Sequence, residues 1–173
     1  GAFEDAAGNG STAITETFII DPFLPVPDSF NGTPAAGNDF SNDNANPDGV
    51  TLNLGVNTLV VTGEFGDADY VTLEVPAGQQ LIAANLTGYV GDQNAAFLGI
   101  QIGDTMPTQS DIVSGAASLD GGTVYNADQF SDDLLPLLAS TTVEGAGQPT
   151  NGLTLPLGPG TYTLWFNQNQ GQT

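Results

Sequence analysis

The sequence predicts an all-β protein: a jelly-roll-like antiparallel β-sandwich with an extended N-terminal strand and linker. Three observations predict it. From Val50 onward, apolar and polar residues alternate over short segments, the period of half-buried strands. Those segments are separated by turn residues, supplied by 23 Gly and 11 Pro. Polarity comes from Asn, Gln, Thr and Ser more than from charge, since only 12% of residues are charged, while a 39% hydrophobic content suffices for a core.

Taken in order, residues 1–10 (GAFEDAAGNG) are small and acidic, and a chain opening on Gly1 rather than Met reads as a processed end from which a signal peptide has been removed. Ser11 to Ile20 (STAITETFII) reads as a strand rich in Thr and Ile. Residues 21–49 are dominated by Pro, Gly, Asn and Asp and read as an extended linker. The chain therefore divides into an N-terminal extension, 1–49, and a sandwich, 50–173. Strands are expected at 50–54, 57–64, 69–75, 79–87, 95–102, 153–157 and 160–166. In DYVTLEV, Val71, Leu73 and Val75 share the face expected to be core. In GTYTLWF, Tyr162, Leu164 and Phe166 share one face, which puts Trp165 on the other with Thr161 and Thr163, either under a loop or exposed. Residues 110–147 read as a long insertion with a helical turn at 132–139, interrupted by Pro136.

Composition excludes much chemistry. The chain has no Lys, Arg, His or Cys and 20 acidic residues, a formal charge of -20. Nucleophiles activated by imidazole, thiolates, Schiff-base lysines and the usual zinc ligand set are therefore absent. With no basic side chain there is no clamp for phosphate, so nucleic acid and anionic lipid are set aside as partners. No apolar run approaches the roughly 20 residues needed to span a bilayer. Carboxylate pairs hydrolyse glycosides, but Asp67 with Asp69, and Asp132 with Asp133, stand too close in sequence to flank a glycosidic bond. A non-catalytic protein is expected. An exposed polyanion repels itself over about 8 Å in physiological salt, so its expected setting is extracellular or at the cell surface, where divalent cations or salt screen it.

The segments GEFGDADYVTLEVPAGQQL (63–81) and LPLGPGTYTLWF (155–166) together resemble the bacterial pre-peptidase C-terminal domain. The residues that carry the resemblance are Asp67, Asp69 and Tyr70, Pro76 to Gln79, and Gly160 to Tyr162, and it covers roughly residues 50–166. It implies a calcium-compatible sandwich that serves secreted proteins as an adhesive or accessory module without catalysis. Members of that family usually follow the closing strand with one more strand, of the type Y-x-L-x-V. Here NQNQGQT follows instead, so either the chain is cut short there or another segment fills the place, since an unfilled one would expose unpaired backbone.

The isolated strand is the candidate filler. Ile14, Phe18 and Ile20 share one face, interrupted by Glu16, while Ile19 lies opposite with Ala13, Thr15 and Thr17. Two readings stand: the strand enters its own sandwich, which short connections favour, or it is donated to a neighbour, which the long linker favours. Donation is head-to-tail and generates a homopolymer, with Ile14, Phe18, Ile19 and Ile20 as its interface. The expected function is thus an extracellular structural subunit of a surface filament, sheath or biofilm matrix. The alternative is a non-catalytic accessory module that binds polysaccharide or a matrix protein, with Trp165 and Tyr89 as its platform.

Carboxylates cluster in NDFSNDNANPDG (38–49) and GDAD (66–69). The first is not an EF-hand, because counting from Asp39 puts Asn44 where the turn glycine is required. These residues either bond their own backbone in Asx turns or bind calcium, the expected cofactor, for which Asp39, Asp43, Asp48, Asp67 and Asp69 are the candidate ligands. Asn-x-Ser/Thr sequons at Asn9, Asn31 and Asn85 are candidate glycosylation sites.

Overall fold

The structure is a computed structural model; it describes residues 28–62, 68–89, 96–107, 118–126, 132–143 and 146–167, and the strand backbone of 3–4 and 10–20. It is an all-β sandwich of two sheets. The strands are β1 (Phe3–Glu4), β2 (Gly10–Ile20), β3 (Ser29–Phe30), β4 (Thr33–Pro34), β5 (Asp48–Thr51), β6 (Gly55–Val61), β7 (Ala68–Val75), β8 (Gln79–Tyr89), β9 (Ala96–Ile102), β10 (Gly121–Tyr125) and β11 (Gly160–Asn167). One sheet runs β8-β2-β6-β3-β4, with β1 antiparallel to the start of β2. The other runs β10-β9-β11-β7-β5.

Alternation explains the core. β7 buries Val71, Leu73 and Val75 as its pattern requires, and they meet Leu98 and Ile100 of β9 and Leu164 of β11. The facing sheet supplies Leu59 and Val61 from β6 and Leu81, Ala84 and Leu86 from β8. The odd spacing in β8 has a cause: its register against β2 shifts between Ile14 and Thr15. The extra residue, Ile82, stays exposed while Leu81 and Ala84 both reach the core.

The outer face of the β7–β11–β9 sheet is covered as well. Tyr70, Phe97 and Trp165 pack there with Met106, Leu119 and Val143, all buried. The insertion expected over 110–147 thus supplies a lid, and also a strand that its composition hid, β10, antiparallel to β9. Gly121 and Gly122 suit the tight packing beneath: a Cβ on Gly121 would collide with the Leu138 carbonyl oxygen. The helical turn is α1 (Leu135–Leu138), and Pro136 opens it rather than interrupting it, since a first-turn N–H has no intrahelical partner to lose.

Three expectations are corrected. The linker reading of 21–49 fails over 28–49, where β3 pairs with β6, β5 pairs with β7 and Phe40 is buried. Its turn residues do build a hairpin, Asn31 (φ 50) and Gly32 (φ 76) making the left-handed turn between β3 and β4. The sheets are not purely antiparallel: β2 runs parallel to β6 and β8, and β5 parallel to β7. Residues 153–157 form no strand and only bridge Leu81 through Leu157, consistent with a proline that has no N–H for a ladder.

Candidate functional site

The first feature is the place that β2 occupies. It lies between β6 and β8, parallel to both, with Ile14 to Ile20 opposite Gly55 to Val61 and Thr12 to Ile20 opposite Gln79 to Tyr89. Strands that flank a third are about 9.6 Å apart, too far to bond each other. In this chain the strand fills its own sandwich. Phe18 and Ile20 hold the register positions of buried Leu59 and Val61, and Glu16 that of buried Asn57. Ile14, opposite Gly55, belongs to the same face. Ile19 is opposite Val60, on the other face. The outer edge of β8 is covered: Leu86 N donates to Asp132 O (3.1 Å), Leu134 N to Ala84 O (2.8 Å) and Leu81 N to Leu157 O (2.9 Å).

The second feature is a group of carboxylates. Asp28, Asp39 and Asp69 bring one oxygen each within 4.8 Å of one another; Asp28 and Asp69 are buried and Asp39 is exposed. Asp69 sits near the start of β7. The chain at 39–41 is held beside it because Tyr70 N donates to Ser41 O (2.9 Å) and Phe40 is buried. Asp28 precedes β3 and clamps three segments. Its Oδ2 accepts from Phe40 N (2.8 Å) and its Oδ1 from Thr62 N (2.5 Å) and Thr62 Oγ1 (2.7 Å), while its carbonyl accepts from Ala35 N (2.7 Å).

Two of the sequence candidates, Asp39 and Asp69, therefore come together, and Asp28 joins them unannounced. The only signal for Asp28 in the sequence is an acidic residue between Pro27 and Ser29, a setting that many loops share. Asp43 goes elsewhere: its carboxylate accepts from Ala45 N (2.9 Å) and Asn46 Nδ2 (2.7 Å), an Asx turn, and these bonds hold it below the usual carboxylate range. Asp48 lies half-buried in β5 and is not one of the group. Asp67 lies outside the described residues. No basic side chain can neutralise the group, because the chain has none. An oxygen-only set of this kind could hold a hard cation such as calcium or magnesium.

The remaining candidates part ways. Trp165 is buried under the lid, so it is no binding platform, while the Tyr89 side chain and Asn9 lie outside the described residues. Asn31 is exposed, but its side chain is engaged, Nδ2 donating to Asn57 Oδ1 (3.0 Å) and Oδ1 accepting from Thr58 N (2.8 Å). Asn85 is half-buried within β8. A cleft of about 470 Å³ opens between the β3–β4 hairpin and β5, lined by Phe30, Pro34, Phe40, Asp48 and Asn53 among others. No helix among the described residues is long and apolar enough to cross a membrane. Comparison with protein-family models, with curated proteins and with solved structures finds no match. The resemblance of residues 50–166 to the pre-peptidase C-terminal domain thus rests on the motifs alone.

Proposed function

We propose that this protein is a non-catalytic extracellular subunit of a surface filament, sheath or biofilm matrix, built head-to-tail by donation of β2 into a neighbour and stabilised by calcium. One observation carries the reading. The strand β2 sits mid-sheet, parallel to both neighbours, and it is joined to β3 by residues 21–27, a segment with three prolines (DPFLPVP). The same slot accepts the same strand from another copy with no change of contacts, which is the condition for strand exchange. Calcium at Asp28, Asp39 and Asp69 would tie the 39–41 segment, β7 and the start of β3 together and offset the self-repulsion of a chain of charge -20.

Cysteine exchange tests it. Thr15 is opposite Val56 and the chain has no native Cys. Chains carrying Thr15→Cys are mixed with chains carrying Val56→Cys, in calcium, and oxidised. Disulfide-linked heterodimers, with a native mass many times 17.6 kDa that falls when residues 1–20 are deleted, support donation. Monomers that link only when both cysteines share one chain refute it. The second reading, a module that binds polysaccharide or a matrix protein, is favoured by the cleft beside β5 and predicts those monomers together with retention on a glycan or matrix column.

A further inference from the structure

The two sheets end side by side at the cleft. β5 is the last strand of one sheet and β4 the last of the other, and residues of both line it. The register of β5 on β7 shows which backbone groups are left over. Thr51 is opposite Glu74, and Leu52 N donates to Glu74 O (2.9 Å). The ladder to β7 therefore uses Asp48, Val50 and Leu52, and the N–H and C=O of Gly49 and Thr51 point the other way. Both of these residues are exposed and line the cleft. Among the described residues β4 pairs with β3 rather than across the cleft. Pro34 has no N–H to give, and Ala35 N is spent on Asp28 O (2.7 Å).

We infer that the cleft is a site for an extended peptide carrying Lys or Arg, added to the open edge of β5 as a further strand. Gly49 and Thr51 offer two donors and two acceptors in a row, which an extended backbone matches with its own groups at the same spacing. β5 has four residues, about 13 Å at roughly 3.3 Å per residue. The cleft volume of about 470 Å³ falls within the range of roughly 300–1,000 Å³ that holds bound ligands. Gly49 keeps the edge clear, since even a Cβ on it would meet nothing within 4 Å.

Side chains define the partner. Val50 and Phe30 pack half-buried against the core and Phe40 is buried in it, so the inward side chains of an added strand meet an apolar wall. Asp48 shares the face of Val50 and puts a carboxylate at the end of that wall. Outward side chains stand beside Thr51, whose Oγ1 donates to the exposed carboxylate of Glu74 (2.8 Å). No base in the chain answers either acid, and the formal charge is -20. A second copy brings only negative side chains and is repelled, whereas a cationic peptide is attracted from a distance and held at Asp48 and Glu74. The inference rests on the second reading given above for the cleft, and it holds whether or not β2 is exchanged between copies.

The test titrates an end-blocked peptide of alternating valine and lysine into the full chain by calorimetry. Its references are the same peptide methylated on its backbone amides, a valine–glutamate counterpart and a neutral glucose oligosaccharide. The lysine peptide is expected to bind, the methylated one more weakly by about tenfold or more through lost hydrogen bonds, and the other two not at all. Gly49→Pro removes an outward N–H that β7 does not use, a change that edge strands tolerate, and is expected to weaken the lysine peptide by about tenfold. Gly49→Ala keeps the N–H and is expected to bind like the unaltered protein. The methylated peptide reads the same bonds on the unaltered protein, so the test survives if Gly49→Pro does not fold. Equal binding of the methylated and plain peptides would show charge attraction without strand addition and overturn the inference. Binding of the sugar in place of the peptide would overturn it and leave the second reading standing; binding of neither would overturn both.

Discussion

Trp165→Ala separates a packed tryptophan from a binding one. The indole is 2% exposed. Its ring stacks on Tyr70, centroids 6.2 Å apart at 16°, and meets Phe97 edge-on at 5.1 Å and 69°. Gly99 lies opposite Trp165 on β9, and a Cβ there would sit 2.9 Å from Leu119 Cδ1 and 3.0 Å from Phe97 Cε1, so the glycine makes room for the side chains packed beside the indole. Removing a fully packed tryptophan costs about 3–5 kcal/mol, from lost burial and the cavity left behind. Against a total stability of roughly 5–15 kcal/mol that is a large share, and it corresponds to a melting point lower by about 6–20 °C for a domain of this size. Urea unfolding followed by circular dichroism measures it without relying on the fluorophore that has been deleted. Trp165→Phe is expected to recover part of the loss by keeping the stack on Tyr70. A cost below about 1 kcal/mol, the range of exposed positions, would refute the reasoning and return Trp165 to the surface as a platform.

Other perturbations test the remaining parts. Chelation is expected to lower the melting point of the native protein, by the equivalent of about 2.7 kcal/mol from a calcium concentration one hundred times the dissociation constant, and to leave Asp69→Asn unchanged; equal responses in calorimetry would remove Asp69 from the site. Gly121→Ala is expected to cost several kcal/mol in denaturant unfolding, because its Cβ would collide with the backbone carbonyl of Leu138; a neutral effect would show that α1 does not pack on β10. Burial raises the phenols of Tyr70 and Tyr162 above their usual value of 10.0. The unfolded chain then ionises first, so stability is complete below pH 10 and falls as pH rises through the native values. Tyr70→Phe should flatten that alkaline decline, as read by melting point from pH 9 to pH 12.

The legible parts of the fold were those with a period. Val71, Leu73 and Val75 declared their face by strict alternation, and β11 likewise announced that Trp165 would lie opposite Leu164 and Phe166. What escaped had no period to read. β10 is the run GGTVY, in which two glycines stand where side chains would alternate. β3, β4 and β5 are only two to four residues long and rich in turn formers, so their strand character comes from the neighbours they pair with, a tertiary effect that outweighs local propensity. The carboxylate group divides the same way. Asp39 and Asp69 stood out as members of acidic clusters, but Asp43, the most loop-like of them, satisfied itself locally, and Asp28 entered from a segment with no acidic neighbours.

By itself the sequence determined what chemistry is possible and which faces are apolar. With no Lys, Arg, His or Cys, every charged side chain is negative and every charged ligand atom is a carboxylate oxygen, whatever the fold. Side-chain period follows from backbone geometry alone, so alternation is read correctly without knowing any partner. The tertiary structure decided which strands are neighbours and which acids meet. β2 runs parallel between β6 and β8, and Asp28, just before β3, meets Asp69 of β7 in the other sheet, because those placements depend on hydrogen bonds and packing between segments distant in the chain. Such contacts leave no local pattern: each partner satisfies its own stretch equally well, and only the folded sandwich selects the pairing.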